Sequence, residues 1–88
     1  MKTQITATAP TNYQLRSIRA FGMPVTKQPN GSYKAIKEFN SKKDAIKFLK
    51  DRAQICFESN NEFKAAISDM LAYNQMTIDA VTAYIETI

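Results

Sequence analysis

Histidine is absent from this chain and cysteine occurs once, at Cys56. Without histidine the commonest general base is missing, and so is the usual partner of a serine or cysteine nucleophile. Carboxylates remain, but Asp44 and Asp51 lie seven residues apart among lysines on a predicted helix, a pattern of solvated surface charge. The chain is therefore expected to bind instead of catalysing. One cysteine closes no intrachain disulfide and builds neither a four-thiolate nor a mixed Cys/His zinc site. No cofactor and no metal are expected, and a reducing, cytoplasmic compartment is. The N-terminal residues Met1 to Thr6 lead into no apolar stretch of signal-peptide or membrane-span length, and none occurs elsewhere, so no membrane partner is expected.

What is present is ordinary for a folded domain: 88 residues, 44% hydrophobic and 23% charged. This length supports a single core, and a core of this size contributes only about 3–5 kcal/mol of net stability. Support from a partner or a second copy is compatible with that size, which leaves homodimerisation open.

Periodicity and turn residues divide the chain. Thr3 to Ala9 alternates threonine with isoleucine and alanine, as a short strand does, and Pro10 closes it. Thr11 to Gln14 has the form of a capping box, in which the threonine hydroxyl accepts from the glutamine amide and the glutamine side chain reaches back. A helix over 12–21 follows, with Leu15, Ile18 and Phe21 on one face and Gly22 as the left-handed stop. A hairpin is expected over 23–39, turning at Pro29, Asn30 and Gly31. Proline suits the first turn position and glycine a positive φ, which favours a type I turn with a glycine bulge.

Ser41 and Asp44 open a helix over 42–57. At 100° per residue its arc of Ala45, Ile46, Phe48, Leu49, Ala53, Ile55, Cys56 and Phe57 faces a core, and Lys43, Lys47, Lys50 and Gln54 form a stripe opposite. Arg52 projects toward the apolar arc, its stem packed and its head expected to pair with an acid. After a break at Ser59, Asn60 and Asn61, the spacing of Phe63, Ala66, Ile67, Met70 and Leu71 predicts a helix over 62–72. The spacing of Ile78, Val81, Ile85 and Ile88 predicts a last helix over 78–87, and the Thr, Val, Tyr and Ile content of that stretch makes a strand the alternative. The expected fold is α+β: a small antiparallel sheet from the hairpin and strand 3–9, packed with about four helices.

Charge is unevenly distributed in this single domain. Residues 1–57 hold eleven Lys or Arg against three acids, a balance of +8, and residues 58–88 hold Lys64 against five acids, a balance of −4; together they make the net +4. The chain thus reads as a basic αβ body and an acidic helical tail. Within the body, Arg16, Arg19, Lys27, Tyr33, Lys34, Lys37, Lys43, Lys47 and Lys50 are the candidate binding residues. The cations suit phosphates, and Tyr13 and Tyr33 suit stacking on unpaired bases. Lysine outnumbers arginine among them, which favours phosphate contact over base reading.

Within the tail, residues 67–81 resemble the helix-turn-helix of DNA-binding proteins. Small Ser68 and Ala72 stand where two helices would touch, with Leu71, Tyr73, Ile78 and Val81 at core positions. The chain departs from that pattern by Ala72 in place of the usual turn glycine, and by Asp79 and Glu86 with no cation on the would-be recognition helix. A groove-reading helix of that charge would be repelled by phosphates. The leading expectation is a binding protein whose basic face docks on nucleic acid or a nucleoprotein. The alternative is a compact protein-binding inhibitor or adaptor, of the phage or plasmid accessory kind, that occupies a site on a nucleic-acid-handling machine.

Overall fold

The computed structural model describes residues 1–56 and 61–88, without the side chains of residues 55 and 56. Alternation in residues 3–9 produces β1 (Thr3–Ala9), the middle strand of a sheet ordered β2-β3-β1-β5-β4. The other strands are β2 (Val25–Lys27), β3 (Tyr33–Phe39), β4 (Gln75–Ile78) and β5 (Val81–Thr87), and every neighbouring pair is antiparallel. Among the described residues three α-helices connect them: α1 (Leu15–Arg19), α2 (Lys42–Cys56) and α3 (Asn61–Tyr73). The α+β class stands, with five strands where the hairpin and one further strand were expected. β1 and β2 run parallel with β3 between them, so the chain follows a split β-α-β plan into which α3 and β4 are inserted.

Local chemistry explains the first half. Gln14 Oε1 accepts from the Thr11 N–H at 3.2 Å and from its hydroxyl at 2.7 Å, and Thr11 Oγ1 accepts from the Tyr13 N–H at 3.3 Å. This capping box starts a 3-10 turn (Asn12–Gln14) that continues into α1 and stops at Gly22, whose φ is 73°. At the hairpin, the Gly31 N–H donates to Gln28 O and the Gln28 N–H donates to Ser32 O, with Gly31 at φ 89°. That is the type I turn and glycine bulge which Pro29 and Gly31 suit.

The second half corrects the helix expected over 78–87. Residues 75–87 form the β4–β5 hairpin, and the helix-turn-helix resemblance ends with α3 at Tyr73. The spacing of Ile78, Val81 and Ile85 is compatible with a helix, but Val81, Ala83 and Ile85 also alternate, and it is this set that is buried. β1 decides between the two periods. Its backbone groups facing away from β3 would be left unpaired inside the domain, and β5 satisfies them over the register Thr3↔Thr87 to Thr8↔Thr82.

All three helices lie on one face of the sheet. Thr3, Ile5, Ala7 and Ala9 point to it and are buried, and the cross-strand row Ala35, Ala7, Ala83 leaves room above the sheet for large side chains. Ile18, Phe21, Leu49, Phe63 and Met70 fill the core, with Phe21 and Phe63 edge to face at 5.4 Å. As expected, α2 turns Ala45 and Leu49 inward and Lys43, Lys47, Lys50 and Gln54 outward. The break expected at Ser59 and Asn60, and the packing of Ile55, Cys56 and Phe57, lie outside the described residues.

Arg52 takes a partner other than an acid. Its Nε and Nη2 donate to Ala20 O at 3.2 and 2.9 Å, across the C-terminus of α1. That carbonyl is one of those a helix end leaves without an internal partner, and α2 brings the guanidinium within reach of it.

Candidate interaction surfaces

α2 positions the first candidate surface. The Ser41 hydroxyl accepts from the Asp44 N–H at 3.3 Å, which fixes the helix start and with it the rotation of everything downstream. Lys43, Lys47 and Lys50, spaced by four and three, form one exposed ridge. With Asp44, Ile46 and Asp51 they line a shallow groove of about 330 Å³. Among the described residues the ion pair within 4 Å is Lys2 with Glu38, at 3.7 Å, so no carboxylate neutralises the ridge at contact distance. Lys37 joins the flank of α2: its Nζ lies 5.8 Å from the Phe39 ring centre and 5.9 Å from that of Phe48.

The remaining sequence-derived candidates divide. Lys27 and Tyr33 meet at the hairpin end, in a groove shared with Thr11, Asn12 and Asn30. Tyr33 is half-buried against the core, whereas Tyr13 is 90% exposed. Tyr33 and Lys37 are four positions apart along β3, about 13 Å of strand. Arg16 and Arg19 are exposed on α1. Lys34 lies on the far side of the sheet, because β3 alternates and its register partners Thr8 and Thr26 belong to the uncovered face. The nine candidates therefore form a helix ridge with Lys37 beside it, a hairpin-end pair, two arginines on α1, and one residue opposite.

No family model, curated protein or solved structure matches the chain.

Two surfaces escaped the reading of the sequence. One is the sheet face opposite the helices. Gln4, Thr6 and Thr8 of β1 stand between Lys34, Ile36 and Glu38 of β3 and Thr82, Tyr84 and Glu86 of β5. Polar cross-strand bonds tie it together: Gln4 Nε2 donates to Glu86 Oε1 at 3.3 Å, and the Thr8 and Thr82 hydroxyls lie 2.8 Å apart. Ile36 and Tyr84, 38% and 40% exposed, flank Thr6 and leave it buried. With Lys2 and Lys34 balanced by Glu38 and Glu86, this face is neutral.

The other is the outer edge of β4, beside a groove of about 410 Å³ lined by Asp69 and Tyr73 of α3, Gln75 and Thr77 of β4, and Thr82 and Tyr84 of β5. The signal for both was the alternation in residues 81–87, outweighed by the helical spacing of the same isoleucines. Among the described residues no group of three or more Cys, Asp or Glu is placed to hold a metal ion. Among them, too, no helix is long and apolar enough to cross a membrane.

Proposed function

We propose that this protein is a non-catalytic binding module whose cationic helical face docks on nucleic acid or on a nucleoprotein. The observation that carries the reading is the ridge of Lys43, Lys47 and Lys50, exposed along α2 and, among the described residues, without a carboxylate within 4 Å. Lysine is a compact, strongly hydrated charge without the planar fork of arginine, so such a ridge contacts phosphates and reads little sequence. Arg16, Arg19, Lys27 and Lys37 add charge on the same side of the sheet.

Titration of labelled single- and double-stranded DNA and RNA at low and moderate salt tests this reading. Affinity should fall steeply with salt, because each neutralised phosphate releases counterions. The triple variant Lys43→Glu, Lys47→Glu, Lys50→Glu should lose at least about tenfold in affinity and keep its helical circular dichroism. An absence of binding at low salt would sink the reading.

The uncovered sheet face favours a second reading. Its neutrality, with Ile36 and Tyr84 half exposed at its centre, suits a protein surface better than a polyanion. In that reading the protein is a compact inhibitor or adaptor of the mobile-element kind, which covers a site on a nucleic-acid-handling machine. Loss of partner capture on Ile36→Glu and Tyr84→Glu, with the lysine variant unaffected, would favour it.

A further inference from the structure

Edge strands at the two sides of the sheet differ in how they are protected. β2 is three residues long, bounded by Pro24 and Pro29, and carries Lys27, the usual devices that keep an edge from pairing. β4 is also short, at four residues, but lacks the other two: Gln75, Met76, Thr77 and Ile78 contain neither proline nor charge. The two-residue turn at Asp79 and Ala80 makes Ile78 and Val81 the closing hydrogen-bonded pair, and Ile85 N–H donates to Asn74 O at the other end. Met76 and Ile78 therefore bond inward to β5, and the N–H and C=O groups of Gln75 and Thr77 point away from the sheet.

Two further observations fall on the same strand. β4 is bracketed by residues other than glycine in the left-handed region, Asn74 at φ 62° before it and Asp79 and Ala80 at φ 52° and 65° after it. Such conformations persist only where the surroundings impose them. The groove beside β4 presents Tyr73, 71% exposed, together with Asp69 and Tyr84.

We propose that β4 is a docking edge for an extended, basic segment of a partner protein, which adds to the sheet as a sixth strand with its side chains in the Asp69–Tyr73–Tyr84 groove. Charge selects that occupant. Among the described residues the groove holds the carboxylate of Asp69 and no lysine or arginine, and Asp79 follows β4 at its far end, so this edge repels phosphates and attracts lysine and arginine. Strand addition also needs a polypeptide backbone, which nucleic acid lacks. A second copy fits poorly. Pairing β4 with β4 sets one molecule's Asp69 and Asp79 near the other's, and pairing it with β2 meets Pro24 and Pro29. This surface is separate from the lysine ridge and does not depend on it.

Selection of a display library of random twelve-residue peptides against the full chain provides the test. Enriched peptides should combine Lys or Arg with β-branched residues. Fluorescence anisotropy of a selected peptide should show at least about tenfold weaker binding to Thr77→Pro, and several-fold weaker binding to Asp69→Lys with the difference largest at low salt. The triple glutamate variant of α2 should bind it unchanged, and amide exchange at Gln75 and Thr77 should slow in the complex. If Thr77→Pro does not fold, Asp69→Lys and the amide exchange decide. Failure to enrich any peptide, enrichment of acidic ones, or slowed exchange elsewhere than β4 would overturn the proposal. So would concentration-dependent dimers in sedimentation with the same two amides protected, which would make a second copy the occupant.

Discussion

Gly22 and Gly31 both adopt positive φ, yet their surroundings differ. A methyl group at Gly22 would sit 2.6 Å from Nε and 2.7 Å from Cζ of Arg52, whose head is held by two bonds to Ala20 O. At Gly31 it would meet nothing within 4 Å. Gly31→Ala should therefore cost about 1 kcal/mol, the left-handed penalty alone. Gly22→Ala should cost more, about 2–3 kcal/mol, because the clamp must also shift. Urea midpoints of the two variants give the comparison, and equal losses would show that the clamp contributes nothing. Ala80 carries the same penalty in the opposite sense. Ala80→Gly should stabilise the protein by about 1 kcal/mol while leaving Asp79 free to accept from Ser17 Oγ at 3.0 Å.

Elements in this fold are only as stable as what lies on both sides of them. β1 is hydrogen-bonded on both edges, by β3 and by β5, and its helix side is fully buried. β5 lies between β1 and β4, whereas β2 and β4 each have a free edge. Amide hydrogen exchange should be slowest in β1 and in the β5 groups that face it, and fast at Val25, Lys27, Gln75 and Thr77, whose N–H groups point away from the sheet. Uniform protection across the sheet would contradict the strand order. The first-half elements were legible because each has its own punctuation: the capping box at Thr11, the turn at Pro29 and Gly31, and the Ser41 cap. The last hairpin was not, since its turn at Asp79 and Ala80 uses neither Asn nor Gly and its isoleucines also satisfy a helical spacing.

At the scale of the whole molecule, the acidic C-terminal third is part of the sheet instead of a tail laid upon it. Met76, Val81, Ala83 and Ile85 belong to the same core cluster as Ile5, Ala7 and Leu49. Truncation after Asn74 would remove those side chains and expose one edge of the central strand along its length. The truncated chain should lose its cooperative thermal transition, followed by circular dichroism. A sharp transition retained without residues 75–88 would mean that the elements from β1 to α3 suffice for folding. The lysine ridge of α2 and the β4 edge, with Asp69 beside it, are separate surfaces of the molecule.

The amino-acid sequence by itself determined the α+β class, the central strand, α2 and its lysine stripe, and the absence of histidine that steers the reading away from catalysis. These are local properties, set by periodicity, caps and composition, and Lys43, Lys47 and Lys50 share a face in any helix with this start. Tertiary structure alone decided that residues 75–87 are a strand hairpin, that Lys34 faces away from the other candidates, and that Arg52 seals α1. Each of these depends on a partner distant in the chain: β1 needs a second strand to satisfy its backbone, alternation in β3 sends Lys34 to the uncovered face, and α2 carries Arg52 to Ala20. Side-chain patterns report the period of a segment, and only the assembled sheet selects between two periods that the same residues fit.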